Sequence, residues 1–172
     1  DITYIGKREK PCYLSLITDA YSKKIVGYNV SDNLNTESSL AALRLAIKQR
    51  KNKELPLIHH SDRGLQYCAN EYQKMLNKNE IKPSMTQNSD PYENAVAERI
   101  NGILKQEFYI DKYNKDLPIM KKIIKETVDI YNEKRPHLSN HMLTPNQMHL
   151  QNKLIMKTYK TKNSIKNVFD AV

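Results

Sequence analysis

Tryptophan is absent from this 172-residue chain, phenylalanine and cysteine each occur twice, and glycine occurs four times. Cys12 and Cys68 are too few and too widely separated for a disulfide scaffold or a CxxC metal clip, so they read as reduced thiols. Four glycines and seven prolines with no repeat exclude collagen-like and low-complexity chains. No apolar run approaches the ~20 residues that cross a bilayer, and no apolar leader with a small-residue cleavage site opens the chain. A soluble, non-exported, cytoplasmic protein is therefore expected. A chain this long buries roughly 70% of its unfolded surface, enough for one domain that needs neither disulfides nor a structural metal.

What the sequence does have is positive charge, with 28 Lys and Arg against 19 Asp and Glu, net +9. A polyanion is the leading class of partner, although basic composition alone does not separate nucleic acid from acidic lipid. The charge is unevenly placed. Residues 1–60 hold 10 basic and 6 acidic side chains, residues 61–110 hold 6 and 7, and residues 111–172 hold 12 and 6. A protein that only coats DNA gains from basic residues throughout, through counterion release. The middle segment must need carboxylates for something else.

Three strands are expected first: DITYI, the apolar run Tyr13 to Ile17, and Ile25 to Val30, joined by short connections as an antiparallel meander. Asn35 or Thr36 caps a helix with Leu40, Leu43, Ala46 and Ile47 on its apolar face. Leu57 to His60 reads as a short strand, followed by a Ser61-Asp62-Arg63-Gly64 turn and a helix around Asn70 to Asn79 with Tyr72, Met75 and Leu76 facing in. Ile81 to Met85 is a fifth strand, parallel to the fourth because a helix lies between them. A third helix is expected from Asp90-Pro91-Tyr92-Glu93, a cap, a first-turn proline and a capping box, to about Phe108. Further helices follow from Leu117 or Pro118 to Glu133, with Ile119, Ile123, Ile124, Val128 and Ile130 as apolar positions, and after Thr144-Pro145. The whole is α/β: a mixed five-stranded sheet, three strands antiparallel and two parallel, flanked by helices. Residues 1–150 form the core, and residues 151–172, with five Lys and one Asp, a basic tail or weak helix.

On the third helix, Asn94, Asn101 and Lys105 fall within about 60° of Glu98, while Val96, Ile100, Ile103 and Leu104 lie opposite. By itself this is the ordinary stripe of a surface helix. Asp62 just past a strand end and Asp1 heading the first strand are likewise unremarkable one at a time, though strand ends are where α/β sheets place ligands. Together the three acids sit on a first strand, a fourth-strand end and a helix, with thirty-five residues between Asp62 and Glu98.

In that order, context and spacing, the chain resembles the integrase core of DDE transposases, most closely the bacterial insertion-sequence-three family and more distantly retroviral integrases. The resemblance rests on DITYI (1–5), YLSLITDAYSKKIVGY (13–28), HSDRGLQY (60–67), SMTQNSDPYENAVAERINGILKQE (84–107) and YNEKRPHLSNHMLTPNQM (131–148). It implies an RNase H-like fold and a DDE polynucleotidyl transferase with Asp1, Asp62 and Glu98 as the catalytic, metal-binding acids. Two Mg²⁺ (or Mn²⁺) ions would serve DNA strand cleavage and strand transfer during transposition. Lys105, seven residues beyond Glu98, matches the family's DNA-contacting basic residue. Arg99 stands where the family usually has a small or uncharged residue, and Leu65 where Ser is common.

Asn94 shares the face of Glu98, and Tyr67 and Tyr92 flank the site, so all three are candidate DNA contacts. Arg135 and His137 either contact DNA or fix the loop that follows. His59 and His60, adjacent on a strand, point to opposite faces and are not expected to share an ion. Partners expected are DNA, both element ends and target, and further copies of the chain on that DNA, with no membrane. A free α-amino group at Asp1, with a pKa of about 7.7–8.0, would set positive charge beside the ions. The natural polypeptide is therefore expected to continue upstream, where related transposases carry helix-turn-helix segments. The alternatives are an inactive, DNA-binding remnant and an RNase H-like nuclease acting on RNA–DNA hybrids.

Overall fold

The computed structural model describes residues 1–6, 11–86 and 94–151. Along the chain come β1 (Ile2–Ile5), β2 (Cys12–Thr18), β3 (Ile25–Ser31), α1 (Thr36–Gln49), β4 (Leu57–Ser61), α2 (Leu65–Cys68), α3 (Asn70–Lys78), β5 (Ile81–Met85), α4 (Ala95–Glu107), α5 (Leu117–Lys134), a 3₁₀ turn (Leu138–Asn140) and α6 (Pro145–His149). The expected start of the third helix, residues 90–93, and the tail from residue 152 lie outside the described residues.

β2 pairs antiparallel with β1, Ile2 opposite Ser15, and with β3, Leu14 opposite Val30. Because side chains alternate along a strand, each face of this meander carries its own core. Ile5, Leu14, Leu16 and Val30 pack against Ile100, Ile103 and Leu104 of α4 and Ile124, Val128 and Tyr131 of α5. Ile2 and Ile17 face the other way, against Leu40 and Leu43 of α1 and Tyr72 and Leu76 of α3. The sheet is thus sandwiched between helices, and α4 is held by its apolar stripe with its polar stripe left available.

Gly27 lets α1 lie directly on β3. A Cβ there would fall 2.2 Å from the Ala42 carbonyl oxygen and 2.9 Å from the Ala46 Cβ. On the opposite side α5 is tied to β3 by a reciprocal pair of 3.0 Å bonds: Ile25 N–H donates to Asn132 Oδ1 and Asn132 Nδ2 donates to the Ile25 carbonyl. These bonds satisfy backbone groups at the strand's start, which a bare edge would leave unpaired.

Strand senses agree with expectation, but the hydrogen-bonded ladders are two. β4 and β5 form their own parallel pair, Leu57 opposite Ile81, apart from β1-β2-β3. β4–β5 meets β1 through side chains, with Ile2 packed against the cluster that holds Ile81. The second helix is preceded by an extra turn, since Ala69 is extended (φ −61°, ψ 139°) and separates α2 from α3. On α5 the buried stripe is Met120, Ile124, Thr127, Val128 and Tyr131, while Ile119 and Ile130 are each 49% exposed. Met120 and Tyr131, not Ile119 and Ile130, thus close the two ends of the buried stripe. α6 begins as expected, in a capping box: Gln147 N–H donates to Thr144 Oγ1 (3.3 Å) and Thr144 N–H to Gln147 Oε1 (2.9 Å).

Candidate active site

Asp1 continues the β1 ladder by one residue. Its amine donates to the Leu16 carbonyl at 3.0 Å, and Leu16 N–H donates back to the Asp1 carbonyl at 2.8 Å. Alternation then puts its side chain on the face of Thr3 and Ile5, toward α4. The carboxylate accepts two hydrogen bonds at 2.8 Å: Oδ1 from the Ile2 N–H and Oδ2 from Asn101 Nδ2. Asn101 is buried on α4, and its Oδ1 has no hydrogen-bond partner.

Asp62 follows the last residue of β4, where its Oδ1 accepts the Gly64 N–H at 3.0 Å and closes an Asx turn. Its charge reaches Asp1. Burial pulls the Asp1 amine down to about 6, and the nearby Asp62 carboxylate partly opposes that fall. His59, two residues before the end of β4, is pushed down to about 4 by burial first, then by the Asp1 amine and His60. The end of β4 therefore lies beside the start of β1.

Glu98 sits in the first turn of α4, exposed, one turn before Asn101 on the same face, and Lys105 lies half-buried one turn after it. The structure thus sets the end of β4 beside the start of β1 and, through Asn101, brings the face of α4 that carries Glu98 against Asp1. Among the described residues no three His, Cys, Asp or Glu side chains stand close enough to hold one ion as they lie. The donor chemistry nevertheless suits a hard divalent cation: carboxylate oxygens, with no thiolate in the set and a buried amide oxygen of Asn101 lacking a partner beside Asp1.

Residues 1–91 match the model of a family described as "Integrase core domain", and residues 79–145 match a second model of that same description. The chain belongs to the integrase core family. Its relatives include proteins named as transposases of bacterial insertion sequences. It is 36% identical over 141 residues to the "Insertion element IS600 uncharacterized 31 kDa protein" of Shigella sonnei, covering 80% of this chain and 50% of that one. It is 31% identical to "Transposase InsF for insertion sequence IS3fB" of Escherichia coli strain K12, over 88% of this chain and 53% of that one. The chain spans about half the length of these curated relatives. Among solved structures, the integrase catalytic core domain of HTLV-2 in complex with magnesium superposes with a TM-score of 0.66 at 20% identity, covering 87% of this chain and 92% of that one. The simian T-cell lymphotropic virus intasome gives a TM-score of 0.73 at 19% identity, covering 94% of this chain and 56% of that one. The fold is that of the retroviral integrase cores, RNase H-like.

Several candidates of this integrase core are placed differently from expectation. Tyr67, expected to meet DNA, is 3% exposed, its ring edge-on to Tyr72 at 5.2 Å, because α2 turns it into the core shared with α1. Arg135, also expected at DNA, spends its fork on Glu107, Nε to Oε2 and an outer nitrogen to Oε1, both at 2.6 Å. That pairing holds the Glu107 carboxyl below its ordinary value and ties the end of α5 to the end of α4. His137 is buried, with its backbone N–H donating to the Leu143 carbonyl at 3.1 Å, so this segment does fix the following loop. Asn94 occupies the N-cap position of α4 without a side-chain cap bond. Tyr92 lies outside the described residues.

His59 and His60 diverge as alternation requires, His59 Nε2 meeting the Tyr72 hydroxyl and His60 Nδ1 the Ser84 hydroxyl, both at 3.0 Å. Asn101, on the face of α4 expected to work, takes a part that the sequence does not announce. Its signal was its position three residues after Glu98, facing a strand that begins with an acid. Among the described residues no helix is long and apolar enough to cross a membrane.

Proposed function

We propose that this chain is the DNA-processing core of a bacterial transposase, a DDE polynucleotidyl transferase that cleaves strands at element ends and joins them to target DNA. The observation that carries the reading is the hydrogen bond from Asn101 to the Asp1 carboxylate, which clamps the Glu98 face of α4 against the start of β1 in a chain of the integrase core family. Asp1, Asp62 and Glu98 are the metal-binding acids of this reading, with Glu98 turning inward from its exposed position when cations are present. Two Mg²⁺ (or Mn²⁺) ions held there would lower the pKa of the attacking water or 3′-hydroxyl and stabilise the departing oxygen.

The chain's own groups do the positioning. Ile2 N–H and Asn101 Nδ2 hold the Asp1 carboxylate in one orientation, and the Asx turn at Gly64 does the same for Asp62. Lys105 offers a point charge to a DNA phosphate, and Asn94 at the start of α4 offers a neutral donor. Water serves as nucleophile for nicking and a DNA 3′-hydroxyl for joining, with no covalent protein–DNA link. Assembly of several copies on paired DNA ends belongs to the same reading; of the relatives, the HTLV-2 core is known in dimeric and trimeric forms.

Asp62→Asn and Glu98→Gln provide the test. Each is expected to lower metal-dependent strand transfer on element-end DNA by at least about 10³-fold, since each removes a ligand needed to stabilise transition-state charge. Unfolding midpoints in urea should stay near that of the wild type. Undiminished strand transfer in either variant overturns the assignment.

A further inference from the structure

α4 has a second polar neighbourhood, on the flank turned away from Asn101. A cavity of about 460 Å³ opens between Val96, Arg99 and Ile100 of α4 and the segment Pro136–His137 after α5, with Lys23 at its edge. Its size falls in the range of small-molecule sites. Its floor is apolar, whereas the charged groups around it are cationic. Arg135 is already neutralised by Glu107, but Arg99 is exposed and has no hydrogen bond or ion pair among the described residues.

The second observation is His137. It lines the cavity at 7% exposure, and its Nε2 is buried with no partner. A buried polar atom left unpaired is uncommon and costly, which sets His137 apart among the lining residues. The local field favours an anion. Burial first, then the positive charges of Arg135, Lys23 and Arg99, push the imidazole down to about 4, and Glu107 is the opposing group.

We propose that this cavity receives a single unstacked nucleotide of a DNA strand, its base on Val96, Ile100 and Pro136 beside the His137 ring, and its phosphate at Arg99. A bare phosphate would leave the apolar floor uncovered. The chain's own C-terminal segment and a second copy are both basic, with 12 basic against 6 acidic residues in 111–172 and a net charge of +9 overall, so neither complements the cationic rim. The inference rests on the DNA-processing reading but concerns a different face of α4. Arg99 is also where this chain departs from the residue type usual in the family it resembles.

The test is an NMR titration of the His137 ring resonances in the intact, metal-free protein with thymidine 5′-monophosphate, inorganic phosphate and thymidine as separate probes. The nucleotide is expected to give a saturable shift, with phosphate and thymidine each binding at least about tenfold more weakly, because each lacks one half of the recognition. Arg99→Ala should weaken the nucleotide about tenfold, the loss expected for one charge-assisted hydrogen bond. Absence of a saturable shift, phosphate binding as tight as the nucleotide, or undiminished binding by Arg99→Ala overturns the proposal. No metal or turnover enters this measurement, so its failure leaves the acids untouched, and failure of Glu98→Gln to impair strand transfer leaves the cavity untouched.

Discussion

Replacing Asn101 by alanine separates a catalytic tie from a structural one. The side chain donates one 2.8 Å bond to a carboxylate and keeps a buried, unpartnered carbonyl oxygen. Losing a bond to a charged group costs about 1.5–3 kcal/mol, while removing an unsatisfied buried polar atom returns about 1–3 kcal/mol. The two effects nearly cancel, so Asn101→Ala should change unfolding free energy by no more than about 1 kcal/mol. The Asp1 carboxylate, by contrast, loses the group that orients it toward α4, and loss of such an outer partner typically costs about 10–100-fold in metal affinity or activity. Expected, then, is a urea midpoint close to wild type with Mn²⁺ affinity by calorimetry and strand-transfer rate both lower by that factor. An unchanged rate, or a loss of rate matched by a loss of several kcal/mol in stability, refutes the reasoning.

Two further perturbations probe the scaffold. Gly27→Ala would drive a methyl group to 2.2 Å from the Ala42 carbonyl oxygen, so α1 must lift off β3; a loss of about 1–3 kcal/mol or more is expected, read as a fall of several degrees in Tm. His59 supplies a pH signature, because its pKa falls from an ordinary 6.5 to about 4 in the folded chain, chiefly through burial. The unfolded state therefore takes up the proton first as pH falls. The neutral imidazole's contribution is complete above pH 6.5, is lost between about 6.5 and 4, and changes no further below that, on the order of 3 kcal/mol in total. Urea titrations at pH 7 and pH 4 should show the wild type losing more stability than His59→Gln by that order, and equal losses would refute the assignment.

Much of this architecture was legible because it follows from local rules. Alternation in DITYI and in the run from Tyr13 gave the meander, the helix between two short strands gave the parallel sense of β4 and β5, and Thr144-Pro145 announced α6. The buried apolar stripe of α4 followed from 100° spacing alone. What stayed hidden depends on partners distant in sequence. Tyr67 reads as a surface aromatic beside an acid until α2 packs it on Tyr72, and Arg135 reads as a DNA contact until the end of α5 meets Glu107 twenty-eight residues away. The two-ladder arrangement was equally out of reach, since nothing in Ile2 or Ile81 says whether neighbouring strands join by backbone or by side chain. His137 belongs in the same class: its burial and its orphaned nitrogen appear only once the segment after α5 folds back on α4.

The arrangement makes α4 the element on which both proposed sites depend, and the chain fixes that helix in three ways. Ile100, Ile103 and Leu104 anchor it in the core beneath the meander, Asn101 pins it to Asp1 near its middle, and Glu107 pins its end to Arg135. These contacts differ in kind: the first is apolar and is not screened by salt, and the last is a partly exposed ion pair that salt weakens. High ionic strength should therefore loosen the end of α4 before its middle. Groups near Asp1 would keep their placement under conditions that already disturb the segment around Arg135 and His137. That ordering suits the proposed reading, in which the carboxylates are preset while the neighbouring cationic surface exchanges counterions for phosphate.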